Sequence, residues 1–360
     1  MISLAGTGIA QSAPNHPNDL IAQASAARMD NDVPRAIQLY SQAVERNPQW
    51  PDGWWFLGSL QYGNGAYVPA RDALSHYVEM IPTAGPAFAL RGLCEFETGD
   101  YRQALNDIQH GISLGAANQP RNEQILRYHE ALLLTRLGNY ASALKGYSSF
   151  AKNGVTNPEL LEAIGLAGLR MPLLPKELTA EQQELVSAAG SAAYRFMAGD
   201  HTAAGQEFEE LFQQHSKARN AHFLYGYLLF ATDPDRALEE FQQELKVAPS
   251  NVDAGLMTAW ALLLKDDPAD ALPYAQKAAE EGPDLSSAQL VLGRSLIGTG
   301  EINKGTERLE KALQLDPDNL ETHLALVNAY SNLGRKEDAR RERLLCLRLS
   351  SRNGNTVERP

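Results

Sequence analysis

The stretch "SSAQLVLGRSLIGTGEINKGTERLEKALQLDP" (residues 286–317) predicts two helices and marks the end of each. Gly300 follows the first apolar segment, where a helix end favours a residue in the left-handed conformation. Pro317 follows the second segment, and the helix must stop there because proline cannot continue it. The stretch therefore predicts a pair of helices with a boundary on its C-terminal side.

The same pattern recurs along the chain at intervals of 34 residues. Small residues keep this interval in both halves of the chain, at Ala36, Ala70 and Ala104 and again at Ala237, Ala271, Gly305 and Ala339. Further small residues are expected where one helix crosses another, because a larger side chain would hold the backbones apart. These residues are Gly58, Ala131, Gly226, Ala259 and Gly293.

In this period and in its motif residues the chain resembles the tetratricopeptide repeat family. The motif has a large residue before leucine-glycine in its first helix, and alanine and proline in its second. The matching structural positions are Trp54, Leu57, Gly58, Ala70, Ala104, Ala143, Ala237, Ala271, Gly293, Gly305 and Ala339. The resemblance implies an all-α fold, a right-handed superhelical α-solenoid of antiparallel helix pairs, with about nine repeats and no catalytic domain.

The register also predicts how the chain is divided. We expect a flexible N-terminus, a first sub-array, a degenerate repeat acting as connector, a second sub-array with a basic capping helix, and a disordered tail. In that order these segments are residues 1–16, 17–157, 158–184, 185–350 and 351–360. The sub-arrays hold about four and about five repeats. Residues 115–122 lengthen one loop, which we expect to be neutral because long surface loops cost little.

Charge and hydropathy limit the partners. The chain of 360 residues has a net charge of −12 and repels phosphate backbones, so nucleic acid is not expected as a partner. No apolar run reaches the about 18 residues that span a bilayer, so no integral membrane segment is predicted.

The first residues, "MISLAGTGIAQSAPNHPND", have two interpretations. They are either a frayed end or the remainder of a signal peptide. The second interpretation would place a bacterial protein in the periplasm or in an envelope-associated complex, and the cytoplasm is the alternative.

Patterns typical of catalysis are missing from the sequence. The histidines are scattered singly, without the i, i+4 pairing or the cysteine neighbours of metal sites. Phosphate-binding glycine loops and nucleophile elbows do not occur either. We therefore predict no cofactor, no metal, no catalytic residue and no enzyme activity. The last helix carries Arg340, Arg341, Arg343 and Arg348, which predict a polar cap or, alternatively, a docking site for an anionic partner.

The resemblance also implies a binding surface, because in this family the first helix of each pair lines a concave groove. In register, the first sub-array would contribute Trp55, Phe56, Tyr62, Leu93, Phe96, Tyr128 and Leu132 to the groove. The second would contribute Phe196, Phe223, Tyr227, Phe230, Met257 and Trp260. Such rings either pack against the neighbouring first helix or form a binding surface. Trp54, by contrast, is expected in the core.

Three functions fit these observations. The first is a non-enzymatic scaffold that binds a peptide segment of another protein in an apolar, aromatic groove. The second is a regulatory or carrier subunit of a transferase or protease system whose catalytic chain is separate, and the third is a glycan or small-molecule site. A clamp for acidic C-terminal peptides is not implied, because Leu324 stands where that clamp needs a lysine.

Overall fold

The computed structural model describes residues 17–354, and the side chains from Asp19 to Ser351. The predicted flexible segment 1–16 and its signal-peptide interpretation lie outside the described residues, as do residues 355–360. Within the described range the chain is all-α, with nineteen α-helices, one 3-10 turn and no strand. No described helix combines the length and the apolar character needed to cross a membrane.

Two compact units divide the chain. The first contains the chain up to Thr156 together with Arg170–Leu178, and the second contains Asn157–Leu169 together with the chain from Thr179 onward. The predicted connector 158–184 is thus shared between the two units.

The first unit consists of four successive pairs of packed helices. They are α1 (Pro17–Met29) and α2 (Val33–Arg46), α3 (Pro51–Gly63) and α4 (Tyr67–Met80), α5 (Gly85–Thr98) and α6 (Tyr101–Ser113), and α7 (Pro120–Arg136) and α8 (Tyr140–Lys152). The 3-10 turn Pro175–Glu177 also belongs to this unit. α7 begins within the lengthened loop, at Pro120.

The second unit begins with α9 (Pro158–Gly168), which packs against the long helix α10 (Ala180–Ala198). α10 also packs against α11 (His201–Gln214). The following pairs are α12 (Ala221–Leu229) and α13 (Pro234–Val247), α14 (Val252–Leu264) and α15 (Pro268–Glu281), α16 (Ser286–Gly298) and α17 (Ile302–Leu315), and α18 (Leu320–Asn332) and α19 (Lys336–Gly354). α19 continues four residues beyond the predicted end of the array at residue 350.

Local sequence explains where many helices start and stop. Gly99 and Gly199 end α5 and α10 in the left-handed conformation, with φ of 86° and 93°. Asp200 and Asp233 begin the helices that follow them, since each side chain accepts a hydrogen bond from a backbone N–H three residues on. Pro273 lies inside α15, and the helix continues through it.

Close crossings within the pairs account for the small residues of the repeat. The alanines at positions 36, 70, 104, 143, 237 and 271 are fully buried. A Cβ atom added at Gly293 would lie 2.9 Å from the carbonyl oxygen of Gly305, and one added at Gly305 would lie 2.7 Å from that of Gly293. The two backbones approach so closely that glycine replaces the alanine of the other repeats at position 305.

Candidate binding groove

In the first unit, the helices α3, α5 and α7 lie side by side and line an open cavity of about 360 Å³. These are the first helices of three successive pairs. The lining residues are Trp55 and Tyr62 on α3, Pro86, Ala89, Leu90 and Leu93 on α5, Ala116 in the following loop, and Asn122, Ile125 and Leu126 on α7. We call this surface the apolar groove.

The rings of Trp55 and Tyr62 are held from behind and remain half-buried. Trp55 packs against Tyr77 with ring centroids 5.6 Å apart, and Tyr62 meets Tyr67 edge-on at 5.7 Å. Burial raises the pKa of the Tyr62 hydroxyl, with smaller contributions from nearby acidic groups. The hydroxyl therefore stays protonated at neutral pH and can donate a hydrogen bond at the groove.

The rest of the groove is mostly aliphatic. Leu93 and Leu126 are buried and form its floor, Leu90 is half-buried, and Ile125 keeps 40% of its surface exposed. Asn122 and the Tyr62 hydroxyl supply polar groups to this lining. Such a surface suits apolar side chains of a ligand, because a charged group would lose hydration there without gaining an ionic partner.

The other predicted groove residues of the first unit pack between helices. Phe56 contacts Tyr40, with centroids 5.5 Å apart, and lies beneath the guanidinium of Arg28 at 4.6 Å. Phe96 is buried and meets the ring of His129 edge-on at 5.0 Å, while Leu132 is buried as well. Tyr128 is half-buried beside His129 and Tyr147. The structure therefore brings Trp55, Tyr62 and Leu93 together in the groove and keeps the other four out of its lining.

In the second unit the predicted groove residues are all buried or half-buried. Phe196 and Phe223 are buried, and Phe230 packs against Phe241 with centroids 6.1 Å apart. Tyr227 stacks on Phe223 at 6.2 Å, and Met257 is half-buried. Trp260 is half-buried beneath the guanidinium of Arg294, which lies 4.8 Å from the ring centroid.

Trp54, expected in the core, lies at its edge. Its ring is half-buried, packs against the apolar cluster of α1 to α3, and stacks on His76 with centroids 4.3 Å apart. The indole Nε1 donates a hydrogen bond to the carbonyl oxygen of Pro48 at 2.9 Å. Trp54 therefore fastens the loop before α3 to the second helix of the same pair.

Sequence reasoning missed part of the groove. Ala116 and Asn122 come from the extra loop residues, and Ile125 and Leu126 come from the first turns of the helix that those residues lengthen. The feature of the sequence that could have indicated these residues is the insertion at residues 115–122, because it lies where the first helix of a pair begins. An aromatic search also passes over Pro86 and Leu90, which contribute aliphatic surface.

Buried ionisable groups lie between helices and not in the apolar groove. Arg91 on α5 donates to Asp107 on α6, and His323 on α18 contacts Glu342 on α19 at 2.6 Å. Burial raises the pKa of the Cys94 thiol to about 12, so that it stays protonated and unreactive. Among the described residues, no group of three or more histidine, cysteine, aspartate or glutamate side chains is arranged to hold a metal ion.

Comparison with known proteins places the repeats in a family. Sequence models described as tetratricopeptide repeat match residues 21–86, 227–286 and 303–342. A DnaJ homolog subfamily C member 7 homolog from Schizosaccharomyces pombe is 28% identical over 106 residues, which are 26% of this chain and 22% of that protein. A STIP1 homolog from Dictyostelium discoideum is 32% identical over 108 residues, 30% of this chain and 19% of that protein. The chain thus spans less than a quarter of the length of these relatives.

Solved structures of similar chains include MamA from Desulfovibrio magneticus RS-1, with 20% identity and a TM-score of 0.41. That comparison covers 49% of this chain and 98% of MamA. YrrB, described as a TPR protein with an unusual peptide-binding site, is 18% identical with a TM-score of 0.41. It is matched over 47% of this chain and 89% of its own.

Proposed function

Because the chain is a tetratricopeptide repeat protein, we propose that it is a non-enzymatic scaffold that binds a peptide segment of a partner protein in the apolar groove. Tetratricopeptide repeat proteins bind other proteins or peptides. The observation that carries the proposal is one open apolar surface shared by three successive first helices. A ligand lying across it would touch α3, α5 and α7 at once.

The lining supports a peptide with apolar side chains. A cavity of about 360 Å³ has room for a few such side chains. Trp55 and Tyr62 are held by neighbouring rings, so little conformational freedom is lost when a ligand covers them. Aromatic residues of this kind contribute about 2 kcal/mol or more when they act as hot spots.

A selection from a random peptide display library on the full-length chain tests this proposal. Peptides enriched on the wild type are measured on Trp55→Ala, where we expect binding to weaken about thirtyfold, the equivalent of a hot spot of about 2 kcal/mol. The matched control is Leu264→Ala, which removes a side chain that is 59% exposed in the second unit and should leave binding unchanged. Circular dichroism checks that both variants keep their helices. Peptides that bind wild type and Trp55→Ala equally would refute a role for the groove.

A further inference from the structure

The segment Arg170–Leu178 leaves the helical array and lies on the first unit, although the chain on both sides of it belongs to the second unit. Residues 171–178 read "MPLLPKEL". Pro172 and Pro175 disfavour an α-helix here, and apart from the turn Pro175–Glu177 the segment has no regular secondary structure. It therefore offers its backbone carbonyl groups to the helices on which it lies.

Arg136, the last residue of α7, holds this segment at two points. Its Nη1 donates to the carbonyl oxygen of Pro172 at 2.6 Å and to Oε2 of Glu177 at 3.0 Å. The same carboxylate oxygen accepts a hydrogen bond from the backbone N–H of Leu174 at 2.8 Å. The bond from Arg136 to Pro172 recognises the backbone of the segment, and the bond from Arg136 to Glu177 recognises a side chain.

Two further anchors hold the segment, and one of them, Lys176, lies against α5. Nζ of Lys176 lies 3.8 Å from Oε2 of Glu97 and 5.8 Å from the ring centroid of Phe96. Leu174 supplies the apolar anchor, since only 1% of its surface is exposed. The first unit thus recognises Leu174, Lys176 and the carbonyl group of Pro172 together.

This occupied surface continues the apolar groove. Leu93 lines the groove, and Glu97 follows it by four residues on α5, which places both on the same helix face. Tyr62, another lining residue, lies close enough to Glu97 for that carboxylate to raise the pKa of its hydroxyl. The segment therefore lies at the end of the surface that begins at Trp55.

The ion pairs that hold the segment are partly exposed to solvent and therefore weak. Lys176 and Glu177 keep 62% and 31% of their side-chain surfaces exposed, and Arg136 keeps 27%. Ion pairs at this exposure are worth about 1 kcal/mol or less. The tether to the chain on both sides adds to these contacts, because it gives the segment an effective concentration on the order of millimolar.

We infer that residues 171–178 are an intramolecular ligand of the first unit, and that a partner peptide of the same class competes with them. That class is an extended peptide with leucine, proline and a lysine. The inference rests on the proposed function, since it extends the same groove towards Arg136. It predicts that loosening the internal segment makes the surface available to a peptide added in solution.

The test uses a fluorescein-labelled peptide with the sequence of residues 171–178 and the full-length chain. The variant K176A/E177A removes both ionic anchors from the segment and none from its receptor surface. We expect it to bind the peptide at least about tenfold more tightly than wild type, because the internal competitor is weakened. Adding R136A should weaken that binding again by about tenfold, because the peptide then loses the bonds from Arg136 to its backbone and to its glutamate. The matched control K152A/E123A, which deletes two exposed charges elsewhere on the first unit, should behave as wild type.

Hydrogen exchange of the wild type gives an independent readout. Saturating peptide should speed amide exchange in residues 173–178, because a displaced segment loses its contacts. Equal binding to wild type and K176A/E177A, binding that R136A leaves unchanged, or unchanged exchange under saturation would each overturn the inference. Library peptides that depend on Trp55 would still uphold the proposed function in those cases, so the two failures are distinguishable.

Discussion

Glu95 is a buried carboxylate whose only ion pair among the described residues is long. It is buried between α5 and α6, with Oε1 at 3.9 Å from Nε of Arg91, while Arg91 bonds instead to Asp107. Oε2 meets no hydrogen-bond donor within the described part of the chain. Burial, and then the negative charge of Asp107, raise the pKa of Glu95 to about 8, although Arg91 and Arg71 act in the opposite direction.

The pH dependence of stability follows from that shift. The folded state keeps the Glu95 proton up to pH of about 8, whereas the unfolded chain releases it near the ordinary value of 4.5. Stability from this group is therefore complete below pH 4.5 and is lost as the pH rises towards 8. Glu95→Gln removes this loss. At pH 8 we expect it to be more stable than wild type by about 4 kcal/mol, since the pKa differs by about 3.5 between the two states and one pKa unit corresponds to about 1.4 kcal/mol.

Urea unfolding at pH 5 and pH 8 measures the effect. Glu123→Gln is the control, because Glu123 is exposed on α7. If Glu95→Gln lost stability equally at both pH values, the carboxylate would have to be ionised and usefully paired in the folded state. Sequence reasoning did not find Glu95, since its burial depends on which residues α6 places against it.

At the scale of elements, α9 and α10 cross at two glycines. A Cβ atom at Gly165 would lie 1.9 Å from the carbonyl oxygen of Val186, and one at Gly190 would lie 1.8 Å from that of Leu161. Real Cβ atoms do not approach a backbone oxygen so closely, so the backbones are in contact. This crossing explains why an apolar helix outside the 34-residue register still finds a partner.

Gly190→Ala should therefore destabilise the second unit by about 3 kcal/mol or more, because the backbones must separate. Gly255→Ala on α14 makes the same chemical change where the nearest atom would be 3.7 Å away, an ordinary contact. There we expect a gain of about 0.5–1 kcal/mol from helix propensity. Thermal unfolding of both variants gives the comparison. Similar effects of the two substitutions would contradict so close a crossing of α9 and α10.

Helix-ending glycines and the repeat motif predicted the positions of the helices well, but they predicted less well which helices pack together. Gly300 was predicted to follow a helix end in the left-handed conformation, and it does so with φ of 91°. The pairing of α9 escaped prediction because "NPELLEAIGLAGLR" is apolar on most sides and lacks the repeat motif. The glycines that make the crossing possible are recognisable only once the facing helix is known.

At the scale of the whole molecule, the register located the groove but not its composition. Trp55 and Tyr62 were predicted and line it, whereas Phe96 and Phe223 were predicted and are buried. Whether a ring at an inward position is exposed depends on how closely the neighbouring first helix approaches. The distance between neighbouring first helices cannot be predicted from a single sequence. An insertion such as residues 115–122 changes that distance locally.

The end of the array is fastened by a buried pair. Both ring nitrogens of His323 face acceptors, with Nδ1 at 2.6 Å from Oε2 of Glu342 and Nε2 at 2.9 Å from the carbonyl oxygen of Pro317. Both polar atoms of the ring are therefore used within the last helix pair and the loop before it. Both side chains are buried, which makes the loss of one partner costly for the other.

In a repeat protein, the loss of stability caused by one substitution depends on how strongly each helix pair is coupled to its neighbours. His323→Ala takes the partner from Oε2 of the buried Glu342, while Arg341 still bonds Oε1. We expect a local cost of about 3 kcal/mol. In a repeat array each unit contacts only its neighbours, so amides of α18 and α19 should lose protection by about a hundredfold while α2 to α6 keep theirs. Hydrogen exchange with mass spectrometry resolves this, and Glu337→Gln, an exposed change on α19, is the control. An equal loss in both compact units would mean that the whole array unfolds as one cooperative body, since damage at one end would then destabilise every helix alike.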